Sequence, residues 1–205
     1  MPTTESAHSQ RAMHGEEETY LKEIVMGLHW DPPLRTSDPV DLDAVCVLFD
    51  AEGGVLEVIH PGNPRSADQS VIHTGDSRTG SSVWDDERIF VFLEALPSVV
   101  AELTFLVISA TGRGFHEVPG AFCHVSDRAS EHEMCRIDLT ALLGCTAHSV
   151  ATLKRRTGSW RISTDVSMPH SSLLGELRAL FGIAKSNAVQ PGGSVPRQFR
   201  MRERP

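Results

Sequence analysis

Two clusters of acidic side chains are the residues of this sequence best suited to chemistry. Asp41 and Asp43 are separated by one residue, and Asp85, Asp86 and Glu87 are consecutive. Residues two apart in extended backbone point to the same side, so Asp41 and Asp43 can bind one cation together. Carboxylates held that close resist ionising together unless a positive charge lies between them. The pattern therefore predicts a cation site.

The segment between the clusters favours calcium. Residues 75–80 combine two glycines with Asp, Ser and Thr, and calcium binds roughly six to eight oxygen ligands in loose geometry. The loop 76–87 begins and ends with an acid, as an EF-hand loop does. However, Arg78 stands at the third position, where an acid belongs, and Gly80 stands at the fifth position instead of the sixth. The predicted site is therefore not an EF-hand.

The same sequence allows two other interpretations. A metal-free role as turn formers stays open, and a zinc site is disfavoured. Clusters of Asp and Ser between strands are also common turn formers and strand-end caps, without any metal. Zinc is disfavoured because no two His or Cys residues have the spacing of zinc ligands. No cysteine lies in an electropositive context that would activate its thiol.

The charge distribution excludes one class of partner. The net charge is −8, and residues 37–90 carry eleven acids against three bases, which is again −8. Such a surface attracts cations and repels phosphate backbones, so we expect no nucleic-acid binding. Four widely spaced cysteines and the lack of a secretory signal predict reduced thiols and a cytoplasmic protein.

The elements that must position the acids are short strands separated by turn-forming residues, which predicts an all-β sandwich. The predicted strands are 20–28, 44–49, 55–59, 69–73, 88–94, 103–109, 121–125, 134–139, 149–155 and 160–166. Gly158 predicts a hairpin between the last two strands. Leucines at helical spacing predict one C-terminal helix, which begins at Ser171 or Ser172 and ends before Gly182.

The ends of the chain differ from the middle in composition. Residues 1–18 are polar and aperiodic, and residues 185–205 are rich in Ser, Pro, Gly and Arg. We predict a flexible N-terminal extension, one domain over residues 19–184 and a disordered basic C-terminal tail.

The order and spacing of several motifs resemble the TerD family over roughly residues 20–183. The motifs are Gly-Leu-His-Trp-Asp at 27–31, Asp-Leu-Asp-Ala at 41–44, His-Thr-Gly-Asp-Ser-Arg-Thr-Gly at 73–80, Asp-Asp-Glu at 85–87 and Gly-Ser-Trp at 158–160. The resemblance implies a β-sandwich that binds calcium in stress response or tellurite resistance. The implied ligands are Asp41, Asp43, Asp76, Asp85, Asp86 and Glu87, with Asp31 and Thr79 as weaker candidates.

This sequence departs from the family pattern in the loop before Asp85. The family usually alternates glycine and acidic residues there, whereas this chain has Ser81, Ser82, Val83 and Trp84. Fewer carboxylates predict weaker calcium affinity.

Three functions remain open on the sequence alone. The favoured one is a non-catalytic calcium-binding stress-response protein that serves as an interaction module. The alternatives are a degenerate interaction domain with little calcium affinity, and a metal-dependent hydrolase, for which we find no phosphate loop and no general base with a partner. The expected partners are other proteins of a stress-response complex, with membrane association as an option and the oligomeric state open.

Overall fold

The structure is a computed structural model that describes residues 21–33 and 40–164, together with Gly175, Leu177 and Ala179. Ten strands form its framework. They are β1 (Glu23–His29), β2 (Leu42–Phe49), β3 (Val55–Ile59), β4 (Val71–His73), β5 (Glu87–Phe92), β6 (Glu102–Ser109), β7 (Phe122–Asp127), β8 (Glu133–Asp138), β9 (Ala147–Arg156) and β10 (Ser159–Ser163). Short 3-10 turns occupy Phe115–Glu117 and Leu139–Ala141.

The strands form two five-stranded sheets whose pairings are all antiparallel. The first sheet has the order β4-β5-β1-β7-β8, and the second has the order β10-β9-β6-β2-β3. The predicted β-sandwich of about ten strands is therefore confirmed. The hairpin between β9 and β10 is also confirmed, and Gly158 adopts a φ of +76° in it, a conformation that suits glycine.

The main core lies between the sheets and follows the period-two alternation of the strands. Ile24, Met26 and Leu28 of β1 are fully buried there, as are Leu42 and Ala44 of β2. These side chains fix the register of β1 and β2, because a shift by one residue would turn the buried apolar side chains away from this core.

A smaller cluster covers the other face of the second sheet. It contains Val45 and Val47 of β2, Leu106 and Ile108 of β6, and Leu177. Leu177 is helical and 2% exposed, and Gly175 and Ala179 are helical as well. The predicted C-terminal helix is thus present at these positions, and the rest of it lies outside the described residues, as do the predicted flexible segments 1–18 and 185–205.

One end of the sandwich gathers the acidic motifs. At this end β1 stops at His29, β5 begins at Glu87, and β2 begins at Leu42. Leu28 pairs with Glu87 across the first sheet, and the Glu87 side chain reaches the backbone of Ala44 in the second sheet. We call this the acidic end, and the loop 74–86 between β4 and β5 lies there.

Candidate metal centre

Three carboxylates converge at the acidic end. Asp41, Asp43 and Asp76 each offer an oxygen atom, and these atoms lie within 4.8 Å of one another. Asp41 and Asp43 flank the buried Leu42 at the start of β2, and the Asp41 carbonyl is held by the Ala110 N–H at 2.9 Å. Asp76 comes from the loop 74–86. The structure therefore groups residues that are more than thirty positions apart in the chain.

The environment of these carboxylates is unfavourable for negative charge. Asp43 is 4% exposed, and both Asp41 Oδ1 and Asp43 Oδ2 are buried without a hydrogen-bond partner among the described residues. Burial, together with repulsion from neighbouring acids, raises the pKa of Asp43 to about 8 and that of Asp41 to about 6. Buried polar groups without partners are costly, and a bound cation removes that cost. A set of carboxylate oxygens suits a hard cation such as calcium.

Glu87 holds this centre together from a fully buried position. Its Oε2 accepts from the Ala44 N–H at 2.8 Å. This N–H has no partner in β3, because β3 pairs with β2 only from Cys46 onward. Oε1 accepts from the Ser77 N–H at 3.2 Å. Burial raises the pKa of Glu87. Glu87 thereby fixes the loop that carries Asp76 against the start of β2.

His73 is the third partner of Glu87. Its Nδ1 accepts from the Gly75 N–H at 3.1 Å, so the proton lies on Nε2, which donates to Glu87 Oε2 at 3.2 Å. His73 therefore acts on both the loop and the carboxylate.

Asp86 ties the loop to the end of β1 through a fully buried side chain. Its Oδ2 accepts from the Trp30 N–H and lies near His29 Nδ1, each at 3.1 Å. Its Oδ1 accepts from the Ser82 N–H at 3.0 Å, with the Ser77 hydroxyl at 3.4 Å. Both oxygens of Asp86 thus already hold the loop in place.

Asp85 points to a different environment from its two neighbours. It accepts from Arg88 Nε at 2.8 Å and lies 3.1 Å from His124 Nε2 on the outer face of the first sheet. Burial alone would raise the pKa of Asp85, but these hydrogen bonds outweigh burial and the pKa lies below its ordinary value. Gly27 makes room for this contact, since a Cβ there would lie 2.3 Å from His124 Nε2.

The two weaker ligand candidates lie outside the group of three carboxylates. Asp31 is exposed, with Oδ1 3.7 Å from His29 Nε2. The Thr79 hydroxyl lies 2.9 Å from the Ser81 hydroxyl. The structure therefore brings together Asp41, Asp43 and Asp76, of which Asp76 is also paired with Arg78 Nε at 2.9 Å. The other predicted ligands have partners elsewhere in the protein, and whether any of these residues binds a metal stays a prediction.

One polar arrangement escaped the sequence analysis. His124 Nδ1 lies 3.0 Å from the Ser126 hydroxyl, so Ser126, His124 and Asp85 form one hydrogen-bonded row. The i, i+2 spacing of His124 and Ser126 on β7 was the available signal, but Asp85 joins them only through the pairing of the strands. Ser126 is buried, and Asp85 is already paired with Arg88, so the row anchors the loop to the sheet instead of exposing a nucleophile.

The fold and the centre define a class: a two-sheet antiparallel sandwich with an acidic, oxygen-donor cluster at one end. The TerD domain family model matches residues 8–177. The chain belongs to this family.

Named relatives agree with the assignment. Tellurium resistance protein TerZ of Serratia marcescens is 35% identical over 161 residues, which cover 74% of this chain and 83% of that protein. Tellurium resistance protein TerD of an Alcaligenes species is 34% identical over 174 residues, covering 81% and 90%. General stress protein 16U of Bacillus subtilis is 30% identical over 152 residues, covering 70% and 79%.

The fold also resembles a solved structure. A homologue of telluride resistance protein (TerD) from Streptomyces coelicolor A3(2) superimposes with a TM-score of 0.66 at 24% identity, and the match covers 74% of this chain and 92% of that one. This likeness concerns the fold. Within the part of the chain that the structure describes, no helix has the length and apolar character needed to cross a membrane.

Proposed function

We propose that this protein is a calcium-binding, non-catalytic stress-response protein that acts as an interaction module. The observation that carries the proposal is the pair of buried carboxylate oxygens, Asp41 Oδ1 and Asp43 Oδ2, which lack hydrogen-bond partners among the described residues, in a group where Asp41, Asp43 and Asp76 bring oxygens within 4.8 Å of one another. The tellurium-resistance and general-stress names of its relatives favour a stress-response role.

Asp41, Asp43 and Asp76 would hold the ion, and Glu87 and Asp86 would keep the loop in position. A bound calcium ion would supply positive charge that lets the three carboxylates ionise together. Because Asp76 lies on the loop 74–86 and Asp41 and Asp43 lie on β2, binding would fasten the loop to the second sheet. The ordered loop surface is then what partner proteins of a stress-response complex recognise.

A non-catalytic role is supported by the state of the polar groups. Ser126 is buried, and Asp85, Asp86 and Glu87 are held by hydrogen bonds within the protein. We infer a reducing compartment, the cytoplasm, because all four cysteines are free thiols.

The second candidate is a degenerate interaction domain with little calcium affinity. Its support is that, among the described residues, three carboxylates form the group, while Ser81, Ser82, Val83 and Trp84 stand where the family usually has glycine and acidic residues. Fewer charged ligands place such a site toward the weak end of calcium affinities.

The test is calorimetric titration of chelator-stripped protein with calcium, with magnesium as the control ion. We expect saturable calcium binding and a higher Tm in calcium, since a ligand that binds only the folded state stabilises it. Asp43→Asn should weaken calcium binding by about tenfold or more, because it removes one of three charged ligands. A factor of ten in affinity corresponds to about 1.4 kcal/mol.

Glu52→Gln is the matched control, because it removes one carboxylate charge from an exposed turn at the opposite end of the sandwich. It should bind calcium as the wild type does. Absence of heat and of any Tm shift up to millimolar calcium would overturn calcium binding and favour the degenerate module. Equal affinities of Asp43→Asn and wild type would place the ion elsewhere.

A further inference from the structure

Apolar side chains protrude from the same loop that carries Asp76. Val83 is 89% exposed and Trp84 is 75% exposed, whereas Trp30 and Trp160 are buried. Contiguous exposed apolar side chains mark contact sites more often than singly exposed ones do. Trp84 in particular is amphipathic and favours the boundary between water and an apolar phase.

The backbone of this segment is held in place. The Ser82 N–H donates to Asp86 Oδ1 at 3.0 Å, and the Trp84 N–H donates to the Ser82 hydroxyl at 3.2 Å. The Trp84 carbonyl accepts from His29 Nδ1 at 2.9 Å. Trp84 is therefore presented outward by a preorganised loop, and less ordering entropy is lost when it binds.

A third apolar side chain lies at the same end of the molecule. Leu143, which is 78% exposed, follows the turn Leu139–Ala141 after β8. The end of β8 belongs to the acidic end because Asp138 pairs with Phe122, and Phe122 pairs with His29. Two separate loops at the acidic end thus expose large apolar groups, and Val83 and Trp84 lie beside His29, Phe122 and Arg136 of the first sheet.

We propose that the acidic end docks on membrane surfaces containing anionic phospholipids when calcium is bound. This inference rests on the calcium site proposed above. Three carboxylates leave open positions on an ion that takes roughly six to eight oxygens, and headgroup phosphate oxygens can occupy them. Val83 and Trp84 then enter the interface, where tryptophan is favoured.

Calcium dependence follows from the charge. The acidic end carries six carboxylates, Asp41, Asp43, Asp76, Asp85, Asp86 and Glu87, against the nearby Arg78 and Arg88. An anionic surface therefore repels this end until a cation lies between them. We expect the apolar and the electrostatic contribution to be needed together, because a single weak signal gives only marginal, reversible membrane binding. A magnesium ion is a poorer bridge, since it keeps its waters and demands stricter geometry.

The experiment is co-sedimentation of the full chain with vesicles of phosphatidylcholine, with and without phosphatidylserine, in calcium, magnesium or chelator. We expect association only with phosphatidylserine vesicles in calcium. Trp84 is the single exposed tryptophan of the chain's three, so its fluorescence should shift to the blue on binding. The shift should be absent from Trp84→Ala.

Trp84→Ala and Val83→Ser should each weaken vesicle binding, with Trp84→Ala lowering it by about tenfold through lost apolar burial. Val99→Ser is the matched control, because Val99 is 57% exposed in the turn before β6 at the opposite end. It should bind vesicles as the wild type does. Melting curves and calcium calorimetry without vesicles show whether each variant is folded and keeps its calcium site.

These readouts separate the two proposals. Calcium binding by calorimetry without vesicle association would overturn docking, leave the calcium site intact and favour a protein as the partner of the exposed loop. Vesicle association that persists in chelator, or that Trp84→Ala and Val83→Ser leave unchanged, would also overturn docking as stated. Absence of calcium heat would overturn the calcium site, and docking with it.

Discussion

At the scale of single residues, two buried acids at the acidic end have opposite effects on stability. Glu87 accepts hydrogen bonds from three donors, the Ala44 and Ser77 N–H groups and His73 Nε2. Asp43 is also buried, but its Oδ2 has no hydrogen-bond partner among the described residues. We therefore expect Glu87 to stabilise the metal-free fold and Asp43 to destabilise it, which suits a ligand of the proposed cation site.

The first contrast to measure is between Glu87→Gln and Asp43→Asn in chelator. Because both Glu87 oxygens face donors, the amide of Gln must place its NH₂ against one of them. We expect a loss of about 1–3 kcal/mol in the free energy of unfolding, partly offset by reduced repulsion of Asp43. Asp43→Asn at pH 8 should instead raise the free energy of unfolding, because it removes an unfavourable buried charge.

Urea unfolding monitored by circular dichroism measures both changes, and Glu52→Gln again provides the neutral reference. Destabilisation by Asp43→Asn of the size found for Glu87→Gln would show that Asp43 has a structural partner in the metal-free protein. That result would remove the central argument for the cation site.

At the scale of elements, the loop 74–86 depends on a few side-chain anchors more than on strand pairing. Asp86 and Glu87 hold it at one side and His73 at the other, while Arg78 in its middle forms an ion pair with Asp76 and is largely exposed. Loops with few buried contacts open locally more often than the strands that flank them. Calcium bound between Asp76 and β2 should suppress that opening.

Limited trypsin digestion tests this expectation at Arg78. Cleavage after Arg78 should slow in calcium, because the loop must open to enter the protease. Arg128, in the exposed turn between β7 and β8, is the internal control, since calcium also affects trypsin itself and would change both sites alike. An unchanged ratio of cleavage at Arg78 to cleavage at Arg128 would mean that the loop is not fastened by the ion.

The sequence predicted the strands better than it predicted which acids form the site. Short β-rich runs bounded by turn-forming residues indicated all ten strands, because both signals are local properties of the chain. The consecutive acids Asp85, Asp86 and Glu87 read as one cluster, yet they enter three environments: Asp85 faces His124, Asp86 the end of β1, and Glu87 the start of β2. Which carboxylate meets Asp41 and Asp43 depends on how the two sheets pack, and no local pattern encodes that.

At the scale of the whole molecule, the cost of the metal-free acidic centre should appear in the pH dependence of stability. In the folded state the pKa of Asp41 is raised to about 6 and that of Asp43 to about 8, from an ordinary value of 3.8. Between the ordinary pKa of 3.8 and the raised pKa values of these two groups, the folded state binds more protons than the unfolded state does. The free energy of unfolding therefore falls as pH rises through this range. Other carboxyls, such as Asp85, have lowered pKa values, and their contributions lie below this window.

We therefore expect the Tm of chelator-treated protein to fall between pH 6 and pH 8 by more in the wild type than in Asp43→Asn. Comparing the two proteins cancels the titration of His60 and His148, whose pKa values are lowered by burial and which are common to both. Saturating calcium should abolish the difference in slope, because a ligated Asp43 is ionised throughout the window. Parallel Tm profiles of wild type and variant in chelator would contradict the raised pKa of Asp43. If the profiles diverge in chelator and calcium leaves the wild-type slope unchanged, the buried carboxylates are not calcium ligands.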